Sequence, residues 1–185
     1  MKIIIYDKKP GEGVGQWFLM LTWLVGSYCQ KLLGAADRVY GAESWSDALN
    51  WLSTLQDNSI TSLQYWGHGS PGYVWLNSKP LILSNLVELK NKFVPQALVW
   101  FRTCSTFQGL RGHQFSKYLA DNLNCVVAGH TRVIGLLQGG LHTRQSNTQA
   151  SWPLEEGEPK SSLPSYLVWG PNTITCFQTK IPHGW

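Results

Sequence analysis

The sequence predicts one α/β domain, a three-layer sandwich around a mostly parallel sheet. Three observations predict it. Short apolar runs of strand length alternate with longer stretches of helical periodicity over the first two-thirds of the chain. The joints between them hold Gly, Pro, Asn and Ser, as βαβ units require. Hydrophobic residues make up 43% of 185 residues, enough to bury one sizeable core, so 1–185 reads as a single domain.

Lys2 to Tyr6 reads as a central strand, and the glycine-rich stretch from Lys8 to Gly15 as a loop. Trp17 to Leu33 comes next as a helix, apolar on most sides and therefore expected to be well buried, with Gly34 past its end. Asp37 to Ala42 is a second short strand. Ser44 caps a helix carrying Trp45, Ala48, Leu49, Trp51, Leu52 and Leu55 at helical spacing, with Asp47 three residues after the cap. Ile60 to Trp66 is the next strand. Tyr73–Leu76 and Pro80–Leu83 flank Asn77-Ser78-Lys79 as a hairpin, and Ser84 caps a helix to Lys92. Ala97 to Phe101 is a strand, Leu110 to Leu123 a helix, and Cys125 to Ala128 a strand.

The last third differs in kind. Residues 129–165 are rich in Gly, Ser, Thr, Gln and Pro, and so long a loop favours a functional or mobile segment. Ser165–Trp169 and Thr173–Phe177 read as late strands that extend the sheet.

Composition excludes several function classes. Charged residues are 14% of the chain, below the roughly 25% of an average domain, and the ten tryptophans point to interfaces. Lysines and arginines are scattered and the net charge is +4, which argues against a nucleic-acid partner. Cys29, Cys104, Cys125 and Cys176 stand far apart with no C-x-x-C pair, so neither a metal nor another cofactor is expected. Lys8 and Lys9, the apolar stretch Trp17–Val25 and Gly34-Ala35-Ala36 have the outline of a secretory leader. Against this, Lys2–Tyr6 reads as the first strand. The apolar run is too short to span a membrane, so no membrane partner is expected and the cytoplasm is the default compartment.

Two turns carry the chemistry. His68 lies in Trp66-Gly67-His68-Gly69-Ser70-Pro71-Gly72 and Cys104 in Phe101-Arg102-Thr103-Cys104-Ser105-Thr106, each directly after an apolar strand. In open α/β sheets ligands bind beyond the carboxyl ends of the strands. A thiol with a pKa near 8.5 is mostly protonated at neutral pH, and an adjacent imidazole can hold it as thiolate and later protonate a leaving amine. Alone, His68 is an ordinary turn histidine and Cys104 a small buried hydrophobe; together they form a candidate dyad. Other motifs fail. Gly11-x-Gly13-x-Gly15 lacks the G-x-G-x-x-G spacing, Ser70 lacks the first glycine of a nucleophile elbow, and no H-E-x-x-H occurs. His113, His130, His142 and His183 have no metal-binding spacing.

A His-Gly pair after one apolar strand and a cysteine after the next resembles the caspase-like cysteine peptidases, a group that includes metacaspases, legumains, gingipains, separases and bacterial CHAT proteins. Gln64 to Gly72 also looks like a bacterial caspase-like domain with an H-G-S-P-G turn, and residues 112 to 135 are similar to the stretch after the cysteine in that group. The resemblance covers about residues 60 to 135. It implies a caspase-like sheet and a cysteine endopeptidase in which His68 is the general acid/base and Cys104 the nucleophile. The Gly69 and Cys104 amides would form the oxyanion hole.

The chain departs from the caspase signature, since Arg102-Thr103-Cys104-Ser105-Thr106 is not Q-A-C-x-G. In the group, the side chain two before the cysteine helps to form the pocket for the residue preceding the scissile bond. Arg102 there suits a carboxylate, so cleavage after an acidic residue is expected; the alternative is that Arg102 pairs with an internal Asp or Glu. Trp152 and Trp169 are the expected walls of an extended peptide site, beside the hairpin from Tyr73 to Leu83. The partners implied are a protein or peptide substrate and a regulatory protein or a second copy of the chain. Two other functions fit the same residues: a catalytically silent caspase-like adaptor, and a small-molecule hydrolase or transferase.

Overall fold

The computed structural model describes residues 1–157 and 164–185. The first half runs β1 (Lys2–Asp7), α1 (Val14–Leu32), β2 (Arg38–Ala42), α2 (Trp45–Ser53) and β3 (Ile60–Trp66). Next come the short strands β4 (His68–Ser70), β5 (Tyr73–Leu76) and β6 (Lys79–Pro80), then α3 (Leu83–Val87). The second half runs β7 (Phe93–Arg102), α4 (Gly109–Leu123), β8 (Val126–His130), β9 (Leu137–Gln138), β10 (Leu141–Arg144) and β11 (Ile174–Thr175).

The protein is mixed α/β. Six strands form the central sheet in the order β10-β8-β7-β3-β1-β2. All neighbours are parallel except β10, which runs antiparallel to β8. The side-chain period of two divides β1 between two cores. Ile3 and Ile5 join the larger core with Ala48 and Leu52 of α2 and Phe115 and Leu119 of α4. Ile4 and Tyr6 face the other way, with Trp66 and with Trp23 and Leu24 of α1. Beside them, Trp100 and Ala128 are covered by Ile174, Ile181 and Trp185 of the C-terminal segment. Helices thus line one face of the sheet, and α1 plus an irregular tail share the other.

Local signals hold where the physics is local. The Ser44 hydroxyl accepts the Asp47 amide at 3.1 Å. Gly34 takes φ +72°, and the Gly34 and Ala35 amides return to the carbonyls of Lys31 and Gln30, closing α1 in a Schellman motif. Asn77 and Ser78 both take positive φ, the two-residue turn that a hairpin's twist selects.

Several expectations give way. α1 is not well buried: it lies mainly over β1 and β2 and reaches β3 only at Trp66, and Ser27 and Gln30 are its only fully buried residues. Of the segment 129–165, residues 158–163 lie outside the described residues; the rest is not one loop, because it holds β9 and β10, the latter an edge strand of the main sheet. The late strands shrink to β11, which pairs with β9, while Ser165–Leu167 is a 3-10 turn. The helix from Ser84 breaks into α3, capped at Ile82, and a 3-10 turn at Lys90–Lys92. β7 begins earlier than its apolar run suggests, because a register shift accommodates Pro95 and the positive φ of Gln96. Among the described residues no helix is long and apolar enough to cross a membrane.

Candidate functional site

Trp66 is paired with Arg102 at the carboxyl ends of β3 and β7. His68 and Cys104 each stand two residues beyond those partners. The two turns therefore leave the sheet side by side from strands about 4.8 Å apart. Gly69 brings them into contact. A Cβ there would lie 2.7 Å from the Cys104 carbonyl oxygen and 2.5 Å from Thr106 Oγ1, so only glycine lets the backbones approach this closely. The hairpin is tied to the same turn: the Gly72 amide donates to the Thr106 carbonyl at 3.0 Å, and Thr106 Oγ1 to the Tyr73 carbonyl at 3.4 Å.

The cysteine turn is fixed from its other side as well. The Ser105 amide donates to the Arg132 carbonyl and the Phe107 amide to the His130 carbonyl, both at 2.9 Å. Ser105 adopts φ +53°. Among the described residues the Cys104 amide has no hydrogen-bond acceptor.

The two reactive groups face different partners. His68 is half-buried, with Nε2 2.8 Å from Gln16 Oε1 and the edge of Trp23 against its ring. An amide oxygen only accepts, so Nε2 carries the proton and Nδ1 keeps the lone pair. Burial lowers the imidazole pKa, and the nearby Asp7 opposes that shift. Asp7, at the end of β1, is buried and accepts the amides of Lys9 at 2.8 Å and Asn77 at 3.0 Å. The Cys104 thiol donates to the Ile134 carbonyl, 3.8 Å away, and burial pushes its pKa up. Among the described residues no hydrogen bond or ring contact joins the sulfur to the imidazole.

The remaining site residues diverge from expectation. Arg102 does not open into a substrate pocket and does not pair with a carboxylate. It is buried on the α1 face of the sheet, between the rings of Trp66 and Trp100 at 4.8 and 4.4 Å. Nε and Nη2 donate to Gln138 Oε1 at 3.0 and 2.8 Å, and the fork reaches the carbonyls of Cys176 at 3.0 Å and Gln178 at 3.1 Å. Burial pulls its pKa to about 9, so it remains charged at neutral pH. The physical reason is alternation: Trp100 and Arg102 share one side of β7, and the C-terminal segment closes over that side. Trp152 is not a cleft wall either. It is buried between Phe107 and His142, with Nε1 on the Phe107 carbonyl at 3.0 Å. Trp169 is 66% exposed.

Gln16, Trp23, Asp7 and Ile134 are site residues that sequence reasoning missed. Asp7 carried a signal, a carboxylate ending a strand at the ligand-binding edge; the other three carried none. A groove of about 950 Å³ lies at the amino ends of the strands, lined by Lys2, Ser62, Leu98, Val126 and Trp185, away from His68 and Cys104. Among the described residues no cluster of three or more His, Cys, Asp or Glu could hold a metal ion.

Compared with known proteins, the chain matches no family model, no curated protein and no solved structure.

Proposed function

We propose that the chain is a cysteine endopeptidase of the caspase-like type, with Cys104 as nucleophile and His68 as proton carrier. One observation carries the reading: the His68 and Cys104 turns leave adjacent parallel strands in register, and Gly69 touches the Cys104 carbonyl. Five parallel strands and an antiparallel edge are compatible with the sheet of that group.

The chemistry rests on the groups present. Rotation of Cys104 away from Ile134 frees the thiol, and His68 Nδ1 accepts its proton. The thiolate forms a bond to the scissile carbonyl carbon, whose oxygen takes the charge and is held by the Cys104 and Gly69 amides. His68 returns the proton to the departing amine as the C–N bond breaks. Water, deprotonated by the same imidazole, then releases the acyl group and restores the thiol. Gln16 holds the ring through Nε2 and keeps Nδ1 as the base. Arg102 supplies no charge to a substrate, so the acidic preference has no support from this residue.

A second reading has its own observation. The thiol and imidazole are not in contact, and burial raises the first and lowers the second. That favours a silent scaffold on the same fold. Peptide-library cleavage and iodoacetamide labelling across pH, each with Cys104→Ala or His68→Ala, separate the two. A peptidase is abolished by Cys104→Ala, and His68→Ala lowers its turnover by a factor of about 10² or more. In the resting protein, labelling should keep rising above the ordinary thiol pKa. Absence of cleavage, with Cys104 labelling indifferent to His68→Ala at every pH, refutes the peptidase and leaves the scaffold.

A further inference from the structure

α1 carries apolar residues on both of its sides. Its inward side packs Trp23 and Leu24 against Ile4, Tyr6 and Trp66 and buries Ser27 and Gln30, and neither amide atom of Gln30 has a partner among the described residues. Its outward side holds Val14, Trp17, Phe18, Val25, Tyr28 and Leu32, all exposed, with Val14 at 85%, Phe18 at 63% and Leu32 at 87%. These recur three, four and seven residues apart and make one stripe about 28 Å long. Lys31 is the only charged residue between Val14 and Leu32. Monomers rarely keep so continuous an apolar strip in water.

We propose that a second copy of this chain covers the stripe, α1 against α1, antiparallel about a two-fold axis near Trp23. Area, symmetry and charge each select that occupant. The six residues are 46% to 87% exposed, so covering them completely sets an upper limit of roughly 800 Å² per copy, about what one partner contributes to a specific interface. Reversal about position 23 sets Val14 opposite Leu32, Phe18 opposite Tyr28 and Val25 opposite the half-buried Leu21, with Trp17 meeting the exposed Cys29, close to the self-complementarity that an isologous contact requires. Glu12 lies just before the helix and Lys31 near its end, so reversal brings each Lys31 within a turn of the other copy's Glu12. It also sets the two helix dipoles in opposition. A bilayer surface is the competing apolar occupant, but helices that lie on membranes carry rows of Lys and Arg on their polar side. Here Lys31 stands alone on the helix, and the neighbouring Lys8 and Lys9 are both paired with Glu43.

The interface does not depend on the thiol chemistry, and its test reads assembly alone. Sedimentation velocity of the full chain over a range of concentrations should show a dimer. Phe18→Glu combined with Val25→Glu should make it a monomer with unchanged circular dichroism and urea midpoint, because both positions already face water. Thr22→Cys lies beside the axis and should cross-link between copies with a short bismaleimide. Native Cys29, about 18 Å from its mate along the helices, should not. A wild-type monomer at about 100 μM, a dimer that survives the double charge variant, or cross-linking through Cys29 rather than Thr22→Cys overturns the proposal. So does a solution monomer that co-sediments with phosphatidylserine vesicles and loses that binding in the double variant, which would assign the stripe to a lipid surface.

Discussion

Replacing Arg102 by Lys should loosen the protein without touching the reactive turns. Lysine keeps the charge and most of the stem but replaces the planar fork with a single point. From the ammonium position only part of the set can be satisfied: Gln138 Oε1, now gripped by two N–H groups, and the carbonyls of Cys176 and Gln178 on the C-terminal segment. Losing two hydrogen bonds to a buried cation, each worth about 1.5–3 kcal/mol, predicts a destabilisation of about 3–6 kcal/mol. The stacking on Trp66 and Trp100 is lost in addition. For a chain of this length that corresponds to a fall of about 10 °C in Tm. Urea unfolding followed by tryptophan fluorescence measures it directly, since two indoles flank the guanidinium. Limited proteolysis at Lys180 should accelerate, because that residue lies in the segment the fork holds down. An unchanged midpoint would refute the reasoning. So would a variant of intact stability that selectively loses cleavage after acidic residues, which would return Arg102 to a substrate pocket.

Gly69→Ala should cost about 1–3 kcal/mol by overpacking. It should also shift Cys104 alkylation severalfold, because the new methyl meets Thr106 Oγ1, the Cys104 carbonyl and Thr103 Cβ within 2.7 Å. A silent substitution in both assays would mean the two turns are not in contact. Acid should destabilise the fold through His130. This ring is buried as a neutral tautomer, Nδ1–H donating to the Gly139 carbonyl at 3.2 Å and Nε2 accepting from Trp100 at 3.4 Å. Burial first, then the charge of Arg102, drives its pKa to about 3. The unfolded chain takes up this proton below about pH 6.5 and the native one does not until about pH 3, so stability falls as pH falls, by up to about 1.4 kcal/mol per unit between those values. His68 and His113, also lowered by burial, add to the slope with the same sign. Urea midpoints at pH 6.5 and pH 5 should therefore differ less in His130→Gln than in the wild type, and equal differences would rule out His130 as the source.

Features that one element's own residues decide were legible along the chain. The runs Lys2–Tyr6 and Ile60–Trp66 specify strands because they are short, rich in β-branched and aromatic side chains and bounded by turn residues, which suits a strand buried on both faces. Ser44, Gly34 and Asn77-Ser78 fix a cap, a stop and a turn within a few bonds of themselves. A histidine and a cysteine directly after two apolar strands already placed both at the ligand-binding edge of a parallel sheet. Packing between distant elements decided the rest. It left the outer side of the apolar helix α1 uncovered, because the sheet, mainly β1 and β2 with Trp66 of β3, lies beneath its inner side alone. It turned Arg102 inward, because the C-terminal segment, seventy residues later in the chain, supplies its acceptors. It also turned the Cys104 thiol toward Ile134 and the His68 ring toward Gln16. Periodicity fixes which side of a strand a residue occupies, but the partner waiting on that side is chosen by packing between elements remote in sequence, and no local pattern encodes it.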